Sequence, residues 1–280
     1  MKKISSEQII DALQKAVIRA NVSLDANIIA MLRNAIKKEE NELALKILNI
    51  LLENAEISLS RNTPLCQDTG VAVLFVTIGS NVSIKGMPLE KAINEGIKEG
   101  YEKGFLRKSI VSSPIKRINT NTNTPTIIHY NYTEGEEFII DLLIKGGGCE
   151  NKSALKMLKP SDGINGINDF VIDTVKCAGA AACPPFFIGI GLGGNFEKCA
   201  LLAKKALLRD VGAFNSKEYL KSMEVELLSK INKLSIGPMG VSGKTTAFSV
   251  AIEEAPCHIA SLPVAVNIDC HSHRHRRIVF

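Results

Sequence analysis

The apolar residues of the first 60 positions recur with the spacing of amphipathic α-helices, and this pattern constrains the fold more than any other feature. Ser5 or Ser6 can cap one helix, Asp25 can cap a second, and a third is predicted from about residue 41 to residue 55. After residue 61, short β-like runs and helical stretches alternate irregularly. The sequence therefore predicts an α+β fold, with an N-terminal helical layer (residues 1–60) packed on a mixed β-sheet region with interspersed helices (residues 61–280).

The later segments are assigned by periodicity and by their flanking turn residues. Strands are predicted at 71–78, 126–132, 137–144, 246–252 and 259–268, and helices at 89–103, 168–178 and 195–208. The two runs on either side of Glu134-Gly135-Glu136 are expected to form a β-hairpin. No repeat, low-complexity tract or linker interrupts the chain, so the 280 residues are expected to form a single domain.

Composition limits the classes of partner. The formal net charge of +5 is mild, tryptophan is absent and aromatic residues make up only 5% of the chain, which argues against a nucleic-acid surface. No apolar run reaches the roughly 20 residues that span a bilayer. Met1-Lys2-Lys3 leads into an amphipathic helix instead of the core of a signal peptide. We therefore expect a cytoplasmic protein that binds neither nucleic acid nor membrane.

Two loops combine the residue types of a binding site. Pro64-Leu65-Cys66-Gln67-Asp68-Thr69-Gly70 brings a thiol, an amide, a carboxylate and a hydroxyl onto one turn, although a capped turn with a half-buried cysteine has the same pattern. Lys145-Gly146-Gly147-Gly148 follows a predicted strand, and its glycines let backbone amides approach an anion such as a carboxylate.

The seven cysteines include no CxxC pair, which excludes zinc ribbons and ordinary ferredoxin motifs. Cys66 follows a proline, Cys270 follows a predicted strand, and Cys183 precedes two prolines and is expected in extended backbone at a turn. Three thiolates on distant loops can hold an iron-sulfur cluster that leaves one iron open as a Lewis acid.

The other four cysteines have different surroundings. Cys177 and Cys199 fall within predicted helices, where a cysteine usually acts as a small buried hydrophobe, and the pattern leaves Cys149 and Cys257 ambiguous.

A glycine-rich run offers a different function. Gly189, Gly191 and Gly194 match the dinucleotide-binding fingerprint, so an NAD-binding protein that uses Gly189–Gly194 is a more remote alternative.

Five motifs in fixed order resemble those of the iron-sulfur-dependent class I fumarate hydratases, and most of all the α subunit of the two-subunit fumarase and L(+)-tartrate dehydratase type. They are Cys-Gln-Asp-Thr-Gly at 66–70, Leu-Arg-Lys-Ser at 106–109, Lys-Gly-Gly-Gly-Cys-Glu-Asn-Lys at 145–152, Ala-Ala-Cys-Pro-Pro at 181–185 and His-Ile-Ala-Ser-Leu-Pro-Val-Ala-Val-Asn-Ile-Asp-Cys at 258–270.

The resemblance implies a role for each matching residue. Cys66, Cys183 and Cys270 would hold a 4Fe-4S cluster with one open iron. The implied catalytic residues are Asp68 and His258, and the implied substrate-binding residues are Gln67, Asp68, Arg107, Gly147 and Gly148. Cys149 replaces a serine of many single-chain relatives and is not counted as a ligand.

The implied activity is reversible hydration of fumarate to (S)-malate, a step of the tricarboxylic acid cycle. The alternative is the α subunit of an L(+)-tartrate dehydratase, which converts tartrate to oxaloacetate, and mesaconate is a further possible substrate. Single-chain relatives continue into a second domain, so the resemblance implies a separate β subunit that completes the active site of a hydro-lyase, in an α2β2-type assembly. The basic stretch 271–277 is expected to face substrate or partner.

Overall fold

The computed structural model describes residues 1–280. Strands and helices alternate along the chain in the order β1 (Lys2–Ser5), α1 (Ser6–Val22), α2 (Ala26–Lys38), α3 (Glu42–Arg61), β2 (Val71–Gly79), β3 (Val82–Lys85), α4 (Leu89–Lys103), β4 (Ile127–Thr133), β5 (Phe138–Lys145), α5 (Gly147–Glu150), β6 (Ala154–Leu158), α6 (Gly163–Ala178), β7 (Phe186–Gly193), α7 (Phe196–Ala206), α8 (Glu218–Asn232), β8 (Ala247–Ala255), β9 (Leu262–Asp269) and β10 (Arg274–Val279). The α+β prediction is confirmed. No helix combines the length and the apolar content needed to cross a membrane.

The chain divides into two compact units. Unit 1 comprises Met1–Leu24, Ala55–Gly147 and Arg274–Phe280, and unit 2 comprises Asp25–Asn54 and Gly148–His273. Both units are discontinuous in sequence. That the whole chain folds as one domain stays a prediction.

The predicted helix starts are confirmed. Ser5 caps α1 in a capping box, because its hydroxyl accepts from the Gln8 amide at 3.3 Å and the Gln8 side chain accepts from the Ser5 amide at 2.8 Å. Asp25 caps α2 by accepting from the Asn27 amide at 2.9 Å. These bonds satisfy backbone donors that the first helical turn leaves without partners.

Unit 1 is built on a mixed sheet with strand order β10-β5-β2-β4. Its core joins apolar residues of α1, β2, α4 and β5. The predicted hairpin is wrong, because β4 and β5 do not pair with each other. Instead β2 lies between them, parallel to β4 and antiparallel to β5, so that Val73 lies opposite both Ile127 and Leu143. The more apolar β2 takes the central place, and the largely exposed β4 takes the edge.

The basic stretch after Cys270 forms most of β10, which pairs antiparallel with β5. Arg276 donates to the Ser23 carbonyl at 2.7 Å, just beyond the end of α1. Arg277 forms an ion pair with Asp141 on the neighbouring strand, with Nε 2.7 Å from Oδ1. The side chains of these two arginines thus contact their own unit.

Unit 2 is built on a second mixed sheet, with strand order β6-β9-β7-β8. Along the fully buried β7, Ile188 and Ile190 belong to the main core with residues of α6 and α8. The alternate positions Gly189 and Gly191 face α7. A Cβ atom on Gly189 would lie 2.1 Å from the Ala203 carbonyl oxygen, and one on Gly191 would lie 1.9 Å from that of Cys199. These glycines are therefore explained by close helix-sheet packing, not by a nucleotide loop.

Candidate active site

The loop between α3 and β2 holds Asp68 in a fixed position in unit 1. One carboxylate oxygen of Asp68, Oδ1, accepts from the Gly70 amide at 3.0 Å, and the other, Oδ2, accepts from the Gly147 amide at 2.8 Å. The glycine-rich turn does bind a carboxylate through its backbone, and in this structure that carboxylate is Asp68. Two segments nearly 80 residues apart in sequence are joined by this one side chain.

Two backbone carbonyl groups of the same loop accept hydrogen bonds from Tyr101. The hydroxyl of Tyr101, on α4, lies 2.6 Å from the Thr69 carbonyl oxygen and 2.8 Å from that of Gly70. Burial raises the pKa of Tyr101, so its hydroxyl stays protonated and able to donate near neutral pH. Gly70 has φ +68°, and a Cβ atom there would lie 2.8 Å from the Lys145 carbonyl oxygen, so a glycine is required at this position.

Asn123 joins a third segment to the loop. It is fully buried although it lies in the polar run 119–125. Its side-chain oxygen accepts from the Ser109 amide at 2.6 Å, and its side-chain nitrogen donates to the Gly70 carbonyl at 3.1 Å. This amide thus positions the Arg107–Ile110 segment, which is also held by the Thr69 hydroxyl donating to the Arg107 carbonyl at 2.8 Å.

Arg274, the first residue of β10, is a buried cation that contacts the backbone of Asp68. Its side chain is only 3% exposed. One guanidinium nitrogen, NH1, donates to the Asp68 carbonyl at 2.7 Å and to the Asn21 side-chain oxygen at 2.9 Å. A charged donor shared by these two oxygens fixes the backbone from which the Asp68 carboxylate projects.

The predicted substrate residues of unit 1 lie around this framework. Gln67 and Arg107 have exposed side chains, Gly147 is exposed, and Asp68 is half-buried. The bonds described above bring Asp68, Gly147 and the backbone of Arg107 together. An exposed guanidinium and an exposed amide can each donate hydrogen bonds to a small polar anion.

The predicted residues of unit 2 are Gly148, Cys183, His258 and Cys270. Gly148 is exposed at the start of α5. His258 is exposed in the loop before β9, where its Nδ1 atom accepts from the Ala260 amide at 3.1 Å. The two cysteines lie in neighbouring turns, because both the amide and the ring nitrogen Nδ1 of His271 approach the Cys183 carbonyl, at 3.4 and 3.2 Å.

The prediction of extended backbone at Cys183 is wrong. The residue has φ +55° and ψ +64°, which is left-handed and not extended. Its amide donates to the Ala180 carbonyl at 3.1 Å, so Cys183 ends a short 3-10 turn over 179–182. The half-buried side chain of Cys183 is therefore carried by a turn residue with left-handed backbone angles. These angles are uncommon for a residue other than glycine.

Unit 2 also brings together three side chains of the types that can ligate a metal ion. One ligand atom each from Cys149, Asp269 and Cys270 lies within 4.8 Å of the others. The Asp269 carboxylate is buried, and its Oδ2 atom lies 2.7 Å from Nδ1 of His273. His273 in turn stacks on Phe187 with ring centroids 4.4 Å apart.

The donor chemistry fits an iron-sulfur group. No disulfide engages the cysteines, and thiolates are the usual ligands of such clusters. Polar groups already face two of the implied ligand sulfurs: the Asp68 amide donates to Cys66 Sγ at 3.4 Å, and Ser272 Oγ lies 3.0 Å from Cys270 Sγ. Hydrogen bonds of this kind stabilise cluster thiolates. Cys66 belongs to unit 1, and Cys183 and Cys270 belong to unit 2.

Five residues at these places were not predicted from the sequence. Tyr101 and Arg274 lie on regular elements far along the chain from the loop that they hold, and Asn123 resembles a solvated loop residue. Asp269 and His273 did have a signal in the sequence. Asp269 directly follows a predicted strand, and a histidine stands four residues after it.

Taken together, the α+β fold and the site describe a protein that presents carboxylate, guanidinium and thiol groups on loops, the class in which small-anion and metal chemistry is found. The chain belongs to the fumarate hydratase (Fumerase) family, whose model matches residues 10–279. The resemblance recognised in the sequence is thereby confirmed.

Individual relatives match over almost the whole chain. A Methanocaldococcus jannaschii protein named "Putative L(+)-tartrate dehydratase subunit alpha" is 42% identical over 273 residues, which are 95% of each chain. The L(+)-tartrate dehydratase subunit alpha of Escherichia coli K12 is 28% identical over 282 residues, which cover 98% of this chain and 92% of that one. The protein of the same name from Shigella sonnei gives the same values.

Proposed function

We propose that this chain is the α subunit of a two-subunit hydro-lyase that hydrates fumarate reversibly to (S)-malate in the cytoplasm, as in the tricarboxylic acid cycle. The family membership and the relatives' names support a hydro-lyase α subunit. The observation that carries the proposal is that two backbone amides, those of Gly70 and Gly147, donate to the Asp68 carboxylate. These bonds join Cys66-Gln67-Asp68 to the glycine turn at Gly147.

The proposed cofactor is a 4Fe-4S cluster held by Cys66, Cys183 and Cys270. When bound, such a cluster supplies an open iron that acts as a Lewis acid on a hydroxyl group. The Asp68 amide would hydrogen-bond to the Cys66 sulfur, and the Ser272 hydroxyl to the Cys270 sulfur. Both groups lie within hydrogen-bonding distance of these sulfurs in the structure.

The chain's own residues would bind and orient the dicarboxylate. Arg107 and Gln67 are exposed and can pair with a substrate carboxylate through charge-assisted and neutral hydrogen bonds. Gly147 and Gly148 leave the turn open to close approach of the substrate, since neither carries a side chain.

Proton transfer is assigned to Asp68 and His258. Hydration adds a hydroxyl to one carbon of the double bond and a proton to the other, and the reverse reaction removes that proton beside a carboxylate. The fixed carboxylate of Asp68 can accept or orient this proton. His258 can do the same from its exposed loop, with Nε2 directed away from the bond that Nδ1 makes to Ala260.

A β subunit is proposed because the relatives with this length are named as α subunits. It would complete the active site in an α2β2-type assembly. The same names favour a second candidate activity, dehydration of L(+)-tartrate to oxaloacetate. The two activities use the same site and differ in the substrate's second hydroxyl group.

The decisive experiment is an assay of this chain with its β partner against fumarate, L(+)-tartrate and mesaconate. We expect fumarate to give the highest kcat/KM. A tenfold preference for tartrate would replace the first activity by the second, and no turnover of any of the three by a cluster-loaded complex would refute the hydro-lyase proposal.

Two variants test the assigned residues. Cys66→Ser should remove cluster absorbance and activity together, whereas Cys177→Ser, an exposed cysteine on α6, should remove neither. Arg107→Ala should keep the cluster and lose one charge-assisted hydrogen bond to the substrate, which is worth about 1.5–3 kcal/mol in kcat/KM. Lys116→Ala, an exposed cation of the following loop, is its control.

A further inference from the structure

We propose that Cys149, Asp269 and Cys270 form a second metal site, which binds one thiophilic divalent cation such as Zn²⁺ when the chain holds no iron-sulfur cluster. This site goes beyond the proposed function, which uses only Cys270 of the three. It gives a role to Cys149, a buried thiol that the hydro-lyase chemistry leaves unused.

The position of Cys149 relative to Asp269 is fixed by the fold of unit 2. The Ser153 hydroxyl donates to the Cys149 carbonyl at 3.2 Å and accepts from the Ile268 amide at 3.0 Å. Strand β6, which follows Ser153, pairs with β9, the strand that ends at Asp269. Cys149 and Cys270 are thus carried by segments joined through one sheet, and they do not depend on a mobile loop for their approach.

The distances suit a single ion. The three ligand atoms lie within 4.8 Å of one another. Zinc binds thiolate sulfur at about 2.3 Å and carboxylate oxygen at about 2.0–2.2 Å, so two sulfurs on a tetrahedral ion lie roughly 3.8 Å apart. Side-chain rotations that move each atom by about 1 Å or less close the site. Two thiolates and one carboxylate leave a fourth position for water.

The donor set selects the class of metal. Thiolate ligands favour Zn²⁺ and other soft or borderline cations over Mg²⁺ and Ca²⁺, which prefer all-oxygen sites. The carboxylate of Asp269 adds a negative charge in a place that is 2% exposed. A divalent cation offsets two of the three negative charges of the carboxylate and the two thiolates, and buried charges without such an offset are costly.

His273 positions the carboxylate without binding the metal. Its Nδ1 atom lies 2.7 Å from Asp269 Oδ2, and its ring is stacked on Phe187, so the carboxylate cannot rotate freely. A hydrogen-bonded partner of this kind orients a ligating carboxylate and raises the affinity for the metal.

The two metal centres exclude each other because both need Cys270. A chain that holds Zn²⁺ through Cys149 and Cys270 cannot use Cys270 for the cluster. Zinc at this site would therefore delay cluster assembly, whereas the cluster-loaded chain should ignore zinc.

Titration of the full chain with Co²⁺, a spectroscopic substitute for Zn²⁺, tests the site directly. The cluster is first removed by chelation, the thiols are kept reduced under argon, and visible absorbance is recorded. We expect one Co²⁺ per chain with the intense bands of tetrahedral thiolate coordination. Cys149→Ser should weaken binding at least 10-fold, and His273→Gln should weaken it roughly 10–100-fold while leaving the thiolate bands in place.

Cys66→Ser and Cys177→Ser are the matched controls, since each removes one thiol outside the site. Both should bind Co²⁺ as the unchanged chain does. Circular dichroism confirms that each variant is folded, and serine at position 149 is a small, conservative change. Equal affinity in Cys149→Ser, an equal loss in Cys66→Ser, or the weak spectrum of an octahedral ion would overturn the proposal.

Discussion

Replacing Arg274 by methionine should destabilise unit 1 far more than any surface arginine does. The change keeps an unbranched apolar stem but removes the guanidinium group, which is the donor for the Asp68 carbonyl and the Asn21 side chain. Two charge-assisted hydrogen bonds are worth about 1.5–3 kcal/mol each, so we expect a loss of about 3–6 kcal/mol in the free energy of unfolding. With a urea m-value of about 3 kcal/mol/M, the midpoint should fall by roughly 1–2 M.

Arg277→Met is the matched control, because Arg277 lies three positions further along β10 and its ion pair with Asp141 is 59% exposed on the arginine side. Exposed pairs contribute about 0.5 kcal/mol, so its midpoint should move by only about 0.2 M. Urea unfolding followed by circular dichroism measures both. If the two variants unfold at the same urea concentration, Arg274 does not hold the loop as described.

A second readout separates positioning from bulk stability. In Arg274→Lys the positive charge remains, but a lysine cannot reproduce the planar guanidinium donor. We expect this variant to keep its cluster absorbance and to lose kcat on the order of 10-fold or more, since small displacements of a catalytic group are costly. An unchanged kcat would show that the Asp68 position does not depend on this donor.

Three further predictions concern Tyr101, Gly191 and the proposed zinc site. Tyr101 has a raised pKa in the folded chain, so its contribution to stability is complete below about pH 10, where the unfolded tyrosine begins to ionise, and is lost as the pH rises from there through the folded-state pKa. Urea midpoints should therefore fall between pH 9 and 11 less in Tyr101→Phe than in the unchanged chain; equal falls would contradict this. Gly191→Ala should lower the thermal midpoint sharply, because its Cβ atom would lie 1.9 Å from a carbonyl oxygen of α7; a shift below 2 °C, on the order of a surface change, would contradict the packing. Zn²⁺ added before cluster reconstitution should slow the return of cluster absorbance in the unchanged chain but not in Cys149→Ser, and equal slowing in both would place the zinc elsewhere.

Secondary structure was predictable where the residues of a single helix or strand determine it. The caps at Ser5 and Asp25 and the helix at 89–103 depend on neighbouring residues, and the structure confirms them. Strand pairing depends on the whole sheet. The failed hairpin shows this, because the competition between β2 and β4 for a place beside β5 is decided by burial of the complete strands.

A candidate site could be proposed from the sequence through its polar loop motifs, but the residues that support those loops could not. Cys66, Asp68 and Gly147 stand in short motifs whose chemistry is visible in one loop. The residues that fix them, Tyr101 and Arg274, bond to backbone carbonyls, which carry no sequence signature of their own. The left-handed backbone of Cys183 likewise depends on the short turn before it, so the following prolines alone could not specify it.

The place of β10 in unit 1 also determines when that unit can finish folding during protein synthesis. Its other segments are made early, but Arg274–Phe280 leaves the ribosome only after residues 148–273 of unit 2. Until then β5 lacks its outer neighbour, and the Asp68 carbonyl lacks its buried donor. Long-range pairing of this kind is slow because distant segments must meet before it contributes. Unit 1 can therefore be completed only when residues 274–280 are available, and the Asp68 loop should become rigid among the last events of folding.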